Sequence, residues 1–189
     1  MIADVSGKGV AAALMMAFLR PVIRSAIDHT GDPVVALERT NRILVDERRT
    51  GMFVTVLCGV LSLDTGVFTF ANAGHEMPLL ATPDGGEPRS VEGGGPLIGM
   101  FGELGLTAER LEIQPGERLV LFTDGITDAA APSGERFGQA RLLRAIAETC
   151  ENGSAVDTCR AVIQGVLAFQ AEALPADDLA LLVLRRLPA

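Results

Sequence analysis

The sequence predicts an α+β fold, on three observations. Helical stripes cluster at the two ends of the chain, a run of short β-rich segments with turn signals fills the middle, and strands do not alternate with helices as a parallel α/β sheet requires.

From Lys8 to about Asp28 the residues Leu14, Met15, Phe18, Leu19, Val22 and Ile23 recur at three- and four-residue steps, the stripe of a helix with one buried face. Pro21 lies inside that stripe and is expected to kink it. Asp32-Pro33 is a helix start, and Val34, Leu37, Leu44 and Val45 carry a second stripe to about Arg48. Met52 to Leu61 is rich in Val, Thr and Phe, Asp64-Thr65-Gly66 reads as a turn, and Val67 to Ala73 alternates, which together predict a hairpin. Strands are expected again at Met77–Ala81, Leu106–Ile113 and Arg118–Phe122, as a meander punctuated by Gly- and Pro-rich turns. Helical stripes return at Gln139–Thr149 and Ala155–Ala173, and Leu179–Leu187 closes the chain as an apolar strand. The expected order is ααβββββααβ, without repeats or a low-complexity linker.

The 189 residues fit one domain, 1–189, and with 48% hydrophobic and 21% charged residues the composition is that of a folded protein. A net charge of -8 leaves no basic surplus to neutralise a phosphate backbone, so no nucleic-acid partner is expected. Cys58, Cys150 and Cys159 form no CxxC pair and read as free thiols of a reducing cytoplasm. No apolar run approaching a membrane span and no signal peptide is read in the chain.

Acidic residues recur at strand ends: Asp4 after Met1-Ile2-Ala3, Asp124 after Leu119–Thr123, and Asp177-Asp178 before Leu179–Leu184. Carboxylates that converge with few basic neighbours repel one another unless a hard cation lies between them, and oxygen-only ligands favour magnesium or manganese over zinc. Each of them alone also reads as a turn residue, Asp124-Gly125 being a common turn pair.

Ser6-Gly7-Lys8-Gly9 before a helix invites a phosphate-loop reading, but Gly9 stands where Ser or Thr is needed and the upstream glycine is missing. Nucleotide binding there is a weak alternative. His75 ends Ala71-Asn72-Ala73-Gly74-His75 at a strand terminus and reads first as a hydrogen-bonded structural residue. No GxSxG elbow is present and no Cys has a base nearby in sequence, so covalent catalysis is not expected.

Together, DVSGKG at Asp4–Gly9, NAGH at Asn72–His75, TDGITDA at Thr123–Ala129 and DDLALLV at Asp177–Val183 resemble the SpoIIE-like, sigma-regulator branch of the PPM (type 2C) protein phosphatases. AALMMA at Ala12–Ala17, Asn41-Arg42-Ile43-Leu44, GGGPLIGM at Gly93–Met100 and RFGQARLL at Arg136–Leu143 extend the resemblance over nearly the whole chain. It implies an α-β-β-α sandwich of two mostly antiparallel sheets flanked by helices. It also implies a metal-dependent phosphoserine/phosphothreonine phosphatase of a bacterial partner-switching pathway, cytoplasmic, with a phosphorylated anti-sigma-factor antagonist as substrate.

By the same resemblance Asp4 bridges two Mn2+ or Mg2+ ions, the Val5 carbonyl holds one of them, and Asp124 and Asp177 complete the other, with Gly125, Asp178, Ala180 and His75 around these ligands. Water activated between the ions then attacks phosphorus without a phosphoenzyme. Two departures from the family stand out. A GGDxxD-like segment is expected on strands ahead of DVSGKG, so the chain is expected to lack its first strands and one metal aspartate, leaving at Met1–Ala3 an edge open to dimerisation. Ala180 replaces the threonine of the family's DDxT. The rival expectation is a catalytically impaired phosphatase fold that serves as an interaction module.

Overall fold

The structure is a computed structural model and describes residues 1–46, 51–151, 153–173 and 177–188. Along the chain the described elements are β1 (Ile2–Val5), α1 (Val10–Thr30), α2 (Pro33–Asp46), β2 (Val54–Leu61), β3 (Val67–Ala73), β4 (Leu79–Ala81) and β5 (Arg89–Ser90). They continue with β6 (Glu109–Glu112), β7 (Arg118–Phe122), α3 (Asp124–Thr127), α4 (Gly138–Ala147), α5 (Ala155–Gln170) and β8 (Leu181–Arg185). The α+β class expected from the sequence is present. The elements fall into two compact units, Met1–His75 with Gly93–Glu112, and Glu76–Glu92 with Ile113–Ala189.

The first unit holds a four-stranded antiparallel sheet in the order β1-β2-β3-β6, with α1 and α2 contributing to its core. The expected hairpin is β2 paired with β3, from Leu61 opposite Phe68 to Val56 opposite Ala73. Val5, Val54, Val56, Ala71 and Ala73 from the sheet pack with Leu19 and Ile23 of α1 and Leu37 of α2. Asp32 starts α2 as expected: its Oδ1 accepts from the Val34 and Val35 amides at 2.8 and 3.2 Å, and Pro33 has no amide to satisfy. The extension of α2 to Arg48 lies outside the described residues. Asn41, fully buried on α2, donates to the Phe101 carbonyl at 2.8 Å and accepts from the Gly99 amide at 2.9 Å, which fastens the glycine-rich loop to the helix.

α1 continues as helix past Pro21, and Ala17, whose carbonyl loses its helical donor there, is exposed to water. The helix corrects one expectation. It is long and apolar enough, at 21 residues and mean hydropathy 1.6, to cross a membrane by length and composition, where no such run was read. Of the apolar window within it 17% is buried, Leu19, Ile23 and Ala26 being the buried residues of the helix. The residues Val10, Leu14 and Phe18 line an exposed face.

The second unit holds a four-stranded antiparallel sheet in the order β5-β4-β7-β8. Leu79, Val120 and Phe122 pack with Ile126 of α3, Leu142 and Ile146 of α4, and Val162 and Val166 of α5. Ser154 and Asp157 form a reciprocal capping box at the start of α5.

The stretch read as one meander is thus divided: β4 and β7 pair with each other, whereas β6 returns to β3. Non-local pairing of this kind leaves no mark on local periodicity. β5 and α3 were not foreseen, since two and four residues are too short to show a period. Asp4 is the next-to-last residue of β1, opposite Thr55.

Candidate functional site

In the second unit the chain leaves β7 at Thr123, whose extended backbone leads directly into α3, so that Asp124 is the first residue of that helix. The same threonine fixes the opposite segment. Its Oγ1 donates to the Asp178 carbonyl at 3.1 Å and accepts from the Ala180 amide at 3.0 Å, and its own amide donates to the Ala180 carbonyl at 3.1 Å. Gly125 packs against the Asp178 carbonyl and Asp177 Cβ so closely that any Cβ at position 125 would collide. A glycine is therefore required for the aspartates at 124 and 177 to come together. The Asp178 amide donates to Asp177 Oδ1 at 2.8 Å, which orients that carboxylate.

The electrostatics follow from this crowding. Loss of surrounding water, then the charges of Asp177 and Asp128, push the Asp124 carboxyl above its ordinary value, against the pull of the Gly125 amide. Glu76 is raised as well, by desolvation first and then by Asp124 and Asp128. Arg136 offsets part of this charge through an ion pair with Asp128 at 2.7 Å. Carboxylates held at the cost of mutual repulsion suit an added cation.

The first unit places Asp4, Val5 and His75. Asp4 pairs in register with Thr55, and Thr55 Oγ1 shares a 2.9 Å hydrogen bond with His75 Nδ1. Asn72 closes the NAGH turn, accepting from the His75 amide at 2.8 Å and donating to its carbonyl at 3.0 Å. Gly74 makes the turn at φ 71° against Leu97, a backbone setting that favours glycine. His75 is thus engaged as a hydrogen-bonded turn residue. Ser6 accepts from the Phe53 amide at 2.8 Å, so its hydroxyl braces β1.

In kind, the oxygen donors of each unit suit a hard divalent cation: the Asp4 carboxylate and Val5 carbonyl in the first, the Asp124 and Asp177 carboxylates in the second. Among the described residues, however, no three His, Cys, Asp or Glu side chains are gathered closely enough to hold an ion. Glu76, Asp128, Arg136 and Gln170 were not singled out from the sequence as site residues. Asp128 stood in view within TDGITDA, four residues beyond Asp124 and so one helical turn away. The other three carry no local signal.

Comparison with known proteins bears on what this arrangement does. Residues 1–187 match the family described as stage II sporulation protein E (SpoIIE). Protein IcfG of Synechocystis sp. is 33% identical over 172 residues, 77% of this chain and 27% of that protein. The phosphoserine phosphatase RsbU of Bacillus subtilis is 29% identical over 185 residues, 98% of this chain and 54% of RsbU. The chain therefore spans no more than about half the length of these curated relatives. Among solved structures, the SiaA-PP2C domain of Pseudomonas aeruginosa has a TM-score of 0.80 at 24% identity, over 97% of this chain and 72% of that one, which shows a PP2C-type fold.

Proposed function

The chain belongs to the SpoIIE family, and from that premise we propose that it is a metal-dependent phosphatase domain that hydrolyses phosphoserine or phosphothreonine on a partner protein. The observation that carries the reading is the Gly125 contact, which brings Asp124 and Asp177 together although burial and like charge oppose it. The curated relative RsbU is a phosphoserine phosphatase, which favours a phosphorylated protein of a partner-switching pathway, such as an anti-sigma-factor antagonist, as substrate.

Asp4, Asp124 and Asp177, with the Val5 carbonyl, would hold Mn2+ or Mg2+. Ions held there would supply Lewis-acid neutralisation of phosphoryl-oxygen charge and a lowered pKa for water. The chain's own part is positional. Thr123 clamps the Asp178–Ala180 segment to the start of α3, Asp178 orients the Asp177 carboxylate through its amide, and Gly125 leaves room between them. Ala180 loses the hydroxyl usual at its position, yet its amide is held by Thr123. Burial raises all three thiols, Cys58, Cys150 and Cys159, above their usual range, which disfavours a thiolate nucleophile.

A second reading is a phosphatase fold that binds a partner without turnover, favoured by Ala180 in place of the family's threonine beside the expected metal aspartates. Phosphate release from a phosphoserine peptide at neutral pH separates the two. The phosphatase reading expects release with Mn2+ or Mg2+ that stops on chelation. Failure of both ions to support turnover, while the protein still binds them, would leave the interaction module.

A further inference from the structure

Beside Asp124 the second unit contains a pocket of about 170 Å³ lined by Gly125, Asp128, Ala129, Arg136, Gln170 and Asp177. It is smaller than the roughly 300–1,000 Å³ clefts that take small molecules, and its size suits one side chain. Gln170, at the end of α5, is only 3% exposed, and its Oε1 has no hydrogen-bond partner. A buried acceptor without a donor is costly unless a ligand supplies the donor.

The other polar groups say which donor. With Asp177 given to the cation, Asp128 is the lining carboxylate left to take a donor, beside a single basic residue, Arg136. Asp128 already takes a guanidinium, that of Arg136, at 2.7 Å, so its geometry accepts a cationic donor. That pair is 68% and 47% exposed, and exposed ion pairs contribute little, so an incoming cation exchanges with it easily. Gly125 and Ala129 leave space for an aliphatic stem whose charged head reaches the acceptors.

We propose that this pocket is a specificity subsite that takes a lysine or arginine side chain of the substrate protein close in sequence to the phosphorylated residue. Gln170 Oε1 and Asp128 receive its donors, and Arg136 competes with it for Asp128. The inference rests on the phosphatase reading.

The test compares phosphoserine peptides that carry one lysine at successive positions around the phosphoserine with matched peptides that carry norleucine. At one position the lysine peptide should show a kcat/KM about tenfold higher, equivalent to about 1.4 kcal/mol. Gln170→Leu and Asp128→Asn should each shrink that ratio towards one, whereas Arg136→Ala, which removes the competitor, should enlarge it. Should Gln170→Leu fail to fold, Asp128→Asn, altered at an exposed site, decides alone. Equal rates on every matched pair, or a ratio that none of the three variants moves, overturns the subsite and leaves the phosphatase reading standing. If no peptide is hydrolysed, the phosphatase reading falls. Fluorescence anisotropy with the same peptides then decides the pocket, which is overturned if lysine and norleucine peptides bind alike.

Discussion

Gly125 shows how one missing side chain sets up the site. An alanine there would drive its Cβ into the Asp178 carbonyl, and overpacking of a close contact costs about 1–3 kcal/mol. Gly125→Ala is therefore expected to lower the melting temperature and to weaken cation binding together, and a variant that melts with the parent would show that the Asp178 segment is not seated as described. Asp124 gives a prediction with a definite sign. Its carboxyl is raised in the folded state by burial, Asp177 and Asp128, so the fold retains a proton that the unfolded chain releases at about pH 3.9. Its stabilising contribution is complete below that value and is lost as pH rises through the folded value. In chelator, Asp124→Asn should then melt above the parent at neutral pH, and the advantage should fade in acid. Differential scanning calorimetry across pH checks this, and a variant less stable than the parent at neutral pH contradicts it. Asp124 and Asp177 were legible in the sequence because each interrupts an apolar run. Glu76, Arg136 and Gln170 were not, because what gives them meaning is a tertiary neighbour rather than a local pattern.

At the scale of elements, the long stripes were legible and the short pieces were not. α1, α2 and α5 each bury residues at three- and four-residue steps, which periodicity reveals. α3 escaped notice because Asp124-Gly125 has the composition of a turn, and its single turn of helix depends on Thr123 and the segment beside it. Arg118 on β7 is the clearest case of a residue that serves a neighbouring element. Fully buried, it donates to the carbonyls of Cys150 at 2.8 Å, Thr149 at 2.9 Å and Gly153, all just beyond α4. The Thr149 carbonyl also accepts from the Gly153 amide at 2.9 Å, so the guanidinium ties the connection between α4 and α5 to the sheet. Arg118→Met keeps the bulk and strands the acceptors, and should cost about 3 kcal/mol, read as a shift in the urea midpoint at unchanged slope. Ser154→Ala, which removes one half of the α5 capping box, should cost about 1 kcal/mol in the same measurement. If Arg118→Met proved the milder of the two, the guanidinium would not hold the connection between α4 and α5 as described.

At the scale of the whole molecule, the α+β class was legible from the order of elements. The division into two sheets was not read from the pattern itself, because a strand such as β6 pairs with β3 across intervening β4 and β5 that belong to the other sheet. The functional account has the same character. It depends on Asp4 in one compact unit and on Asp124 and Asp177 in the other, residues that the strand-end pattern offered as a group and the family resemblance gave a common role. Its central claim is that these aspartates act through a bound cation to hydrolyse a phosphoester. The most direct test measures phosphate release from a phosphoserine peptide at saturating Mn2+ for the parent, Asp4→Asn, Asp124→Asn and Asp177→Asn, with circular dichroism to show that each is folded. The account predicts that each substitution lowers the rate by about a hundredfold or more, a barrier increase of just under 3 kcal/mol. Folded variants that release phosphate within about threefold of the parent, a difference of less than 1 kcal/mol, would contradict it.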